Sequence, residues 1–148
     1  MAEGLLSDDI KKQVSEVFNE LKEPVQVLFF GRKEHCEYCA DTLQLVQEVV
    51  DLSDKLGLDV HDIEDDAALA RQFKVDKTPS LVFAGKDGDQ MVDFGVRIAG
   101  IPSGHEFTCL IHDLLLVSGR DSGLSKNTRQ ILSRLTKPVH LQVFVTPT

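Results

Sequence analysis

Two cysteines separated by two residues are the part of this sequence best suited to chemistry. They are Cys36 and Cys39, in the stretch Cys36-Glu37-Tyr38-Cys39. Sulfurs at this spacing can close a disulfide, and a thiolate from such a pair can attack a disulfide in another molecule. The same Cys-x-x-Cys spacing occurs in half of many zinc sites. Zinc usually takes four ligands, however, and the chain offers no second pair of cysteines. Redox chemistry is favoured, with structural zinc and inert buried cysteines as the alternatives.

The elements expected on either side of the pair bear on its reactivity. The continuous apolar run from Val25 to Phe30 predicts a strand covered on both faces. Helical periodicity beyond Cys39 predicts a long helix that ends before Gly57. Cys36 then lies at the helix N-terminus, where unpaired N–H groups and the helix dipole stabilise a thiolate. We expect Cys36 to be the nucleophile and Cys39, deeper in the helix, to be the resolving cysteine.

Three titratable side chains close to the pair in sequence are candidates for tuning it. Lys33 and His35 would lower the pKa of the Cys36 thiol, whereas the negative charge of Glu37 would raise it. A destabilised thiolate favours the oxidised form and makes the dithiol a better reductant.

The other elements are predicted from apolar periodicity and from glycine and proline positions. Ser7 can cap an amphipathic first helix. Strands separated by helices are parallel, whereas an Asp87-Gly88 turn joins the last two into an antiparallel hairpin. The predicted elements are helix 7–21, strand 25–30, the cysteine helix, strand 58–63, a helix from 65 or 66 to 73, strands 80–84 and 91–98, and a helix that stops at Gly119.

Thr78-Pro79 stands at the start of a predicted strand. An X-Pro bond there can be cis. A proline at this point also leaves the preceding backbone free to pair with an extended substrate peptide, as an added strand.

The composition bounds the classes of function. The formal net charge is −8, which argues against nucleic acid or an anionic membrane as the main partner. No stretch resembles a secretory signal or is long enough to span a bilayer. Three cysteines in 148 residues do not make a disulfide-dense secreted scaffold. We expect a cytoplasmic location.

The end of the chain repeats its beginning. Residues 21–25, Leu-Lys-Glu-Pro-Val, align with residues 135–139, Leu-Thr-Lys-Pro-Val. The apolar run 25–30 aligns in the same register with residues 139–144. Any helix followed by proline and a strand looks similar, but a second copy of the opening helix and strand that starts near Ser125 is favoured.

From Val25 to about Ser118 the sequence resembles the thioredoxin superfamily, since strand, Cys-x-x-Cys helix, Thr-Pro, hairpin and final helix follow in that order. The extra first helix, the Cys-x-Tyr-Cys form and the repeated unit are more similar to protein disulfide oxidoreductases, glutaredoxin-like proteins with two tandem units. The resemblance implies that Pro79 is cis and faces the redox pair. It implies a substrate-binding surface of Tyr38, Thr78 and Pro79.

The sequence departs from that family at two places. Phe30 stands where thioredoxins keep a buried acid, which leaves water, Glu34 or Glu64 as candidates for proton transfer with Cys39. Ala99-Gly100-Ile101-Pro102 does not match the glutathione signature of glutaredoxins, which argues against glutathione specificity. Cys109, in the last predicted helix, is expected to be a small core residue.

The expected fold is therefore α/β: a thioredoxin fold with a central mixed four-stranded sheet flanked by helices, an extra N-terminal helix and strand, and the start of a second such unit. The redox domain is expected at 1–119, and the first helix and strand of a truncated second unit at 120–148.

The predicted function is thiol–disulfide exchange with protein substrates. It needs no cofactor beyond the Cys36–Cys39 disulfide and no metal. The implied partners are protein disulfides and a flavoprotein similar to thioredoxin reductase, with a homo-oligomer formed through the second unit. The alternatives are an electron-relay domain of a peroxide-reducing system and a non-catalytic binding module.

Overall fold

A mixed sheet of four strands organises the chain in the computed structural model, which describes residues 4–146. The spatial order of the strands is β2-β1-β3-β4. This is the α/β architecture expected from the sequence. The sequence also predicted an extra N-terminal strand, but β1 belongs to the four-stranded sheet, and no strand precedes it within the described residues. The strands are β1 (Val25–Gly31), β2 (Leu56–Asp62), β3 (Ser80–Asp87) and β4 (Gln90–Ala99).

Helices cover both faces of the sheet. α1 (Asp8–Val17) is the predicted first helix, and the Ser7 hydroxyl accepts the Ile10 N–H at 3.4 Å, as expected for a capping serine. It continues into a short 3₁₀ turn, Phe18–Glu20. The remaining helices are α2 (Cys39–Val50), α3 (Ala67–Gln72), α4 (Glu106–Gly119) and α5 (Lys126–Leu132).

Strand pairing brings the two predicted site segments to one end of the sheet. β1 runs parallel to β2, because α2 carries the chain back between them, and antiparallel to β3. Phe30 near the end of β1 therefore pairs with Ser80 at the start of β3. The loop that leads from Gly31 to the cysteines and the Thr78-Pro79 segment consequently lie at the same edge.

All seven residues of β1 are buried, as the continuous apolar run predicted. Side chains alternate between the two faces of a strand, so Val27 and Phe29 join the core beneath α1, α2 and α4. Leu28 and Phe30 join a smaller core with Ala70 and Phe73, at α3 and the residue after it. The sheet thus has a layer on each side.

A partly buried carboxylate holds the segment that precedes α1. Glu48, on α2, accepts the N–H groups of Leu5 at 2.8 Å and Leu6 at 3.1 Å. Lys11 on α1 forms an ion pair with the same carboxylate at 3.3 Å. The start of the chain is therefore attached to the helix that begins with Cys39.

The chain beyond α4 contains part of the predicted repeat. α5 forms where the second opening helix was expected, and Ser125 caps it by accepting the Thr128 N–H at 3.1 Å. The predicted strand at 139–145 does not form, and Phe144 is 87% exposed. A strand needs a neighbour to bond its N–H and C=O groups, and neither edge of the described sheet pairs with this segment.

The position of the domain boundary at residue 119 stays a prediction. Arg120, one residue beyond it, still contacts the first unit, because its guanidinium bonds the Pro24 carbonyl at 3.1 Å and the Asp87 carboxylate at 2.9 Å. Among the described helices, none combines the length and the hydropathy that crossing a membrane would require.

Candidate redox site

Cys36 and Cys39 form a disulfide with their Cα atoms 5.5 Å apart. Cys36 lies in a turn that the Cys39 N–H closes on the Cys36 carbonyl at 3.5 Å. α2 begins at Cys39 rather than at Cys36, so the expected nucleophile precedes the helix and the expected resolving cysteine is its first residue. Both cysteines are half-buried.

The residue before Cys39 is held by its backbone and leaves its ring in solvent. The Tyr38 carbonyl accepts the Thr42 hydroxyl at 2.6 Å and the Thr42 N–H at 2.9 Å. Thr42 is fully buried, so this anchor is rigid, whereas the Tyr38 side chain is 49% exposed. About half of the Tyr38 side chain is therefore open to solvent, and its role in binding substrate stays a prediction.

Of the three tuning candidates, Lys33 has its charge engaged elsewhere. Its ammonium bonds the Asp65 carboxylate at 2.5 Å, and this hydrogen bond and charge raise the pKa of Lys33. His35 and Glu37 are exposed, and His35 adopts a left-handed backbone with φ of 56°. Asp65 lies just before α3 in the chain. Control of the Cys36 pKa by Lys33, His35 and Glu37 stays a prediction.

Asp62, at the end of β2, fixes the loop that approaches the cysteines. The segment Asp62-Ile63-Glu64 is part of the family resemblance, but the sequence did not indicate this role for its carboxylate. Its carboxylate accepts the N–H groups of Glu64 at 2.9 Å, Asp65 at 3.2 Å and Lys33 at 3.2 Å. These bonds hold the pKa of Asp62 below its ordinary value. The Gly31 carbonyl accepts the Ile63 N–H at 2.9 Å across the same gap. The carboxylate therefore ties together the two loops at this edge.

Glu64, one proposed proton acceptor for Cys39, is bound to an arginine. It forms an ion pair with Arg32 at 3.2 Å, and its side chain is 70% exposed. Glu34 is exposed as well. Neither of these glutamates lines the cavity that adjoins Cys39.

The phenylalanine next to Cys39 is Phe29 and not Phe30. Phe29 and Cys39 line a cavity of about 300 Å³. A Cβ on Gly31 would lie 2.7 Å from the Phe29 ring and 3.4 Å from the Cys39 sulfur, so only glycine fits between them. Phe30 lies on the other face of the sheet, where it stacks on the His61 ring at 5.3 Å. The alternation of strand side chains places Phe29 on the α2 face and Phe30, the residue that the resemblance had indicated, on the opposite face.

The Thr78–Pro79 peptide bond is cis, as the resemblance implied. Pro79 is buried and its carbonyl accepts the Gly100 N–H at 2.9 Å, which places the loop after β4 directly beside it. The Ser80 hydroxyl donates to the Lys77 carbonyl at 2.6 Å and closes the turn. The role of Thr78 and Pro79 in contacting substrate stays a prediction.

The expectation for Cys109 is wrong, because this cysteine is exposed on the surface of α4. The helix buries Leu110 and Leu114, and Cys109 lies one position away from that face. Within residues 4–146, no three His, Cys, Asp or Glu side chains come together as metal ligands would.

Curated proteins with similar sequences are much longer than this chain. A protein of Xanthomonas campestris pv. phaseoli, named as one of the subunits of alkyl hydroperoxide reductase, is 31% identical over 118 residues, which are 80% of this chain and 19% of that protein. A protein named NADH dehydrogenase from Bacillus subtilis is 25% identical over 144 residues, 97% of this chain and 25% of that protein. The chain thus spans about a fifth to a quarter of these relatives. No family model matches it.

Two solved structures with a similar fold have chains longer than this one. A protein disulfide oxidoreductase from Aeropyrum pernix k1 has a TM-score of 0.75 and 31% identity, and the match covers 87% of this chain and 55% of that one. An N-terminal domain of an alkyl hydroperoxide reductase from Enterococcus faecalis has a TM-score of 0.74 and 23% identity. That match covers 84% of this chain and 58% of that one, and at this identity it shows the fold alone.

Proposed function

Because the chain belongs to the thioredoxin-fold superfamily and has a Cys-x-x-Cys disulfide at the end of its central strand, we propose that it is a thiol–disulfide oxidoreductase that acts on protein disulfides. The observation that supports this most is the half-buried Cys36–Cys39 disulfide at the same sheet edge as the cis Thr78–Pro79 bond. A disulfide closed within one turn can open and close without moving the fold.

The chemistry begins from the dithiol form. The Cys36 thiolate attacks one sulfur of a substrate disulfide, which forms a mixed disulfide and releases one substrate thiolate. Cys39 loses its proton, and its sulfur attacks Cys36, which restores the Cys36–Cys39 disulfide and releases the second substrate thiolate. Two electrons pass to the substrate in each cycle, and both substrate thiolates take protons from water. No redox cofactor within the domain is needed for this exchange.

A dithiol or a flavoprotein reductase would return the disulfide to the dithiol form. We infer that the physiological reductant is a flavoprotein similar to thioredoxin reductase, because curated relatives at 31% identity are named as subunits of a reductase. Substrate backbone would pair beside Pro79, with Tyr38 and Thr78 at its flanks. The cytoplasm is the proposed location, since a dithiol pair works where thiols are kept reduced.

A second candidate is an electron-relay domain of a peroxide-reducing system. It is favoured by two curated relatives, from Xanthomonas campestris and Pseudomonas aeruginosa, that are 31% identical and named as subunits of alkyl hydroperoxide reductase. The chain would then pass its electrons to a peroxidase. Turnover of protein disulfides that appears only when a flavoprotein reductase is added would favour the relay over a free-standing oxidoreductase.

Reduction of insulin with dithiothreitol as the electron donor tests the proposal. The chain should accelerate precipitation of the insulin chains, Cys36→Ser should abolish this, and Cys39→Ser should accumulate a mixed disulfide that mass spectrometry detects. Cys109→Ser is the matched control and should act as the wild type does, because Cys109 is exposed and outside the disulfide. Equal rates of insulin precipitation for the wild type and Cys36→Ser would refute the proposal and favour a non-catalytic binding module.

A further inference from the structure

An apolar groove lies between the segment before α1, the first turns of α2 and the loop that precedes α4. Its volume is about 390 Å³. Among the described residues, Asp41 is the one charged side chain that lines it. We call it the extension groove, since the N-terminal extension forms one wall. Its apolar lining residues are Leu5, Leu6, Ile10, Leu45, Ile101 and Phe107.

The extension groove adjoins both parts of the redox site. Asp41 lies on the first turn of α2, two residues after Cys39. On the opposite wall, Ile101 follows Gly100, whose N–H bonds the Pro79 carbonyl at 2.9 Å. A peptide in contact with Pro79 and the disulfide therefore has the groove within reach of its neighbouring side chains.

Hydrogen bonds hold the N-terminal wall of the groove in place. The Glu48 carboxylate accepts the N–H groups of Leu5 and Leu6. Leu6 is buried in the core, whereas Leu5 is 48% exposed and Ile10 is 40% exposed. The bonds to Glu48 thus hold Leu5 at the surface, next to Ile10 on α1. Covering these two apolar side chains with a partner would gain free energy.

The charges around the groove are mostly negative. Asp41 lines it, Asp9 and Glu106 are next to lining residues along the chain, and Asp8 is two residues from the lining residue Ile10. These four carboxylates form no ion pair within residues 4–146. The nearby cations are Lys11, which is bound to Glu48, and the exposed Lys12. An occupant with positive charge is therefore favoured over one with negative charge.

We propose that the extension groove binds the segment of a protein substrate next to its reacting cysteine, and that it selects segments with a large apolar side chain and a lysine or arginine. The apolar side chain fills the space between Ile10 and Phe107, and the cation pairs with Asp41. This selectivity rests on the proposed disulfide exchange and adds a substrate class to it.

Peptide mixed disulfides with thionitrobenzoate test this. The chain is first reduced with dithiothreitol and separated from it, so that its Cys36–Cys39 dithiol supplies the two electrons that release the coloured thiolate. Four peptides carry one cysteine flanked on both sides by Leu and Arg, Ala and Arg, Leu and Glu, or Ala and Glu. The symmetric small disulfide dithiobis(nitrobenzoate), which has no flanking residues, gives the reference rate. We expect kcat/KM for the Leu/Arg peptide to exceed that for the Ala/Glu peptide by roughly tenfold or more, mainly through a lower KM.

Variants separate the two parts of the preference. Ile10→Asp should reduce the Leu-over-Ala ratio of kcat/KM, and Asp41→Asn should reduce the Arg-over-Glu ratio by about two- to fivefold at low salt. Met91→Asp is the control for Ile10→Asp, because Met91 is 42% exposed and far from the groove along the sheet. Asp89→Asn, in the β3–β4 turn, is the control for Asp41→Asn. Neither control should change a ratio.

Equal kcat/KM for all four peptides would overturn the proposal, as would a preference that survives both variants. If Ile10→Asp loses its helical circular dichroism, Asp41→Asn decides the question, because this side chain is exposed. A wild-type chain that reduces neither the peptides nor the reference disulfide would instead refute the proposed oxidoreductase function.

Discussion

Replacing Glu48 by glutamine should destabilise the fold at neutral pH and have little effect in acid. The carboxylate is partly buried on α2, where burial alone would raise its pKa. The N–H groups of Leu5 and Leu6, the Gln44 amide and the Lys11 ammonium outweigh burial and lower the pKa of Glu48 to about 2. Glutamine keeps the shape of the side chain and removes the charge that these donors bind.

The size of the effect follows from the pKa. In the unfolded chain the ordinary pKa of Glu48 is 4.5, so a folded pKa of about 2 corresponds to an upper limit of about 3 kcal/mol. The Glu48 side chain remains 15% exposed and its bond to Leu5 lies at the surface, so water weakens these interactions. We therefore expect Glu48→Gln to lower the free energy of unfolding by about 1–2 kcal/mol at pH 7.

The pH dependence has a definite sign. Because folding lowers this pKa, the stabilisation is fully present above pH 4.5 and disappears as pH falls toward 2. Urea unfolding of both proteins at pH 7, 5 and 3 measures it, and more than half of the difference should be gone at about pH 3.

Glu16→Gln is the matched control for this experiment, since Glu16 is exposed on α1. It should change the free energy of unfolding by less than about 0.5 kcal/mol at each pH. A difference between wild type and Glu48→Gln that stays constant from pH 7 to pH 3 would refute the reasoning, because the charge would then not be its source.

Three further outcomes are expected from other contacts. Gly31→Ala should destabilise the oxidised protein by about 1–3 kcal/mol in urea unfolding, because its Cβ would lie 2.7 Å from the Phe29 ring, and an unchanged midpoint would contradict this. Ser118→Ala should lower the free energy of unfolding in urea by about 1–3 kcal/mol. The buried Ser118 hydroxyl accepts the Lys22 N–H at 2.8 Å and donates to the Glu23 carbonyl at 2.7 Å, and both bonds would be lost. Ser15→Ala, at an exposed position of α1, is its control. The full chain should self-associate through the exposed apolar segment 139–145, so Phe144→Lys should lower the average mass in sedimentation equilibrium, and a monomeric wild type at all concentrations would rule this out.

The order of elements and the site motifs could be predicted from the sequence because each depends on residues near one another in the chain. The apolar run of β1 indicated a strand buried on both faces. The spacing of Cys36 and Cys39 indicated a disulfide, and Thr78-Pro79 indicated a cis bond through the resemblance. For the strand and the cysteine pair a short stretch contains the signal, whereas the cis bond depended on the resemblance over the whole domain.

The contacts that complete the site join residues far apart in sequence. The ammonium of Lys33, a candidate for tuning Cys36, bonds the Asp65 carboxylate, and the sequence did not indicate this partner. The Asp62 carboxylate collects N–H groups from two loops that meet only when β1 and β2 pair. A charge pattern along the chain does not reveal such a meeting.

Which face of a strand meets which helix was likewise decided by the tertiary structure. Alternation shows that Phe29 and Phe30 point to opposite sides of β1, and it leaves open which side α2 covers. The repeat near the end of the chain predicted a helix and a strand from the same pattern. The helix formed because its hydrogen bonds are internal, whereas a strand at 139–145 needs a neighbouring strand, which the described residues do not supply.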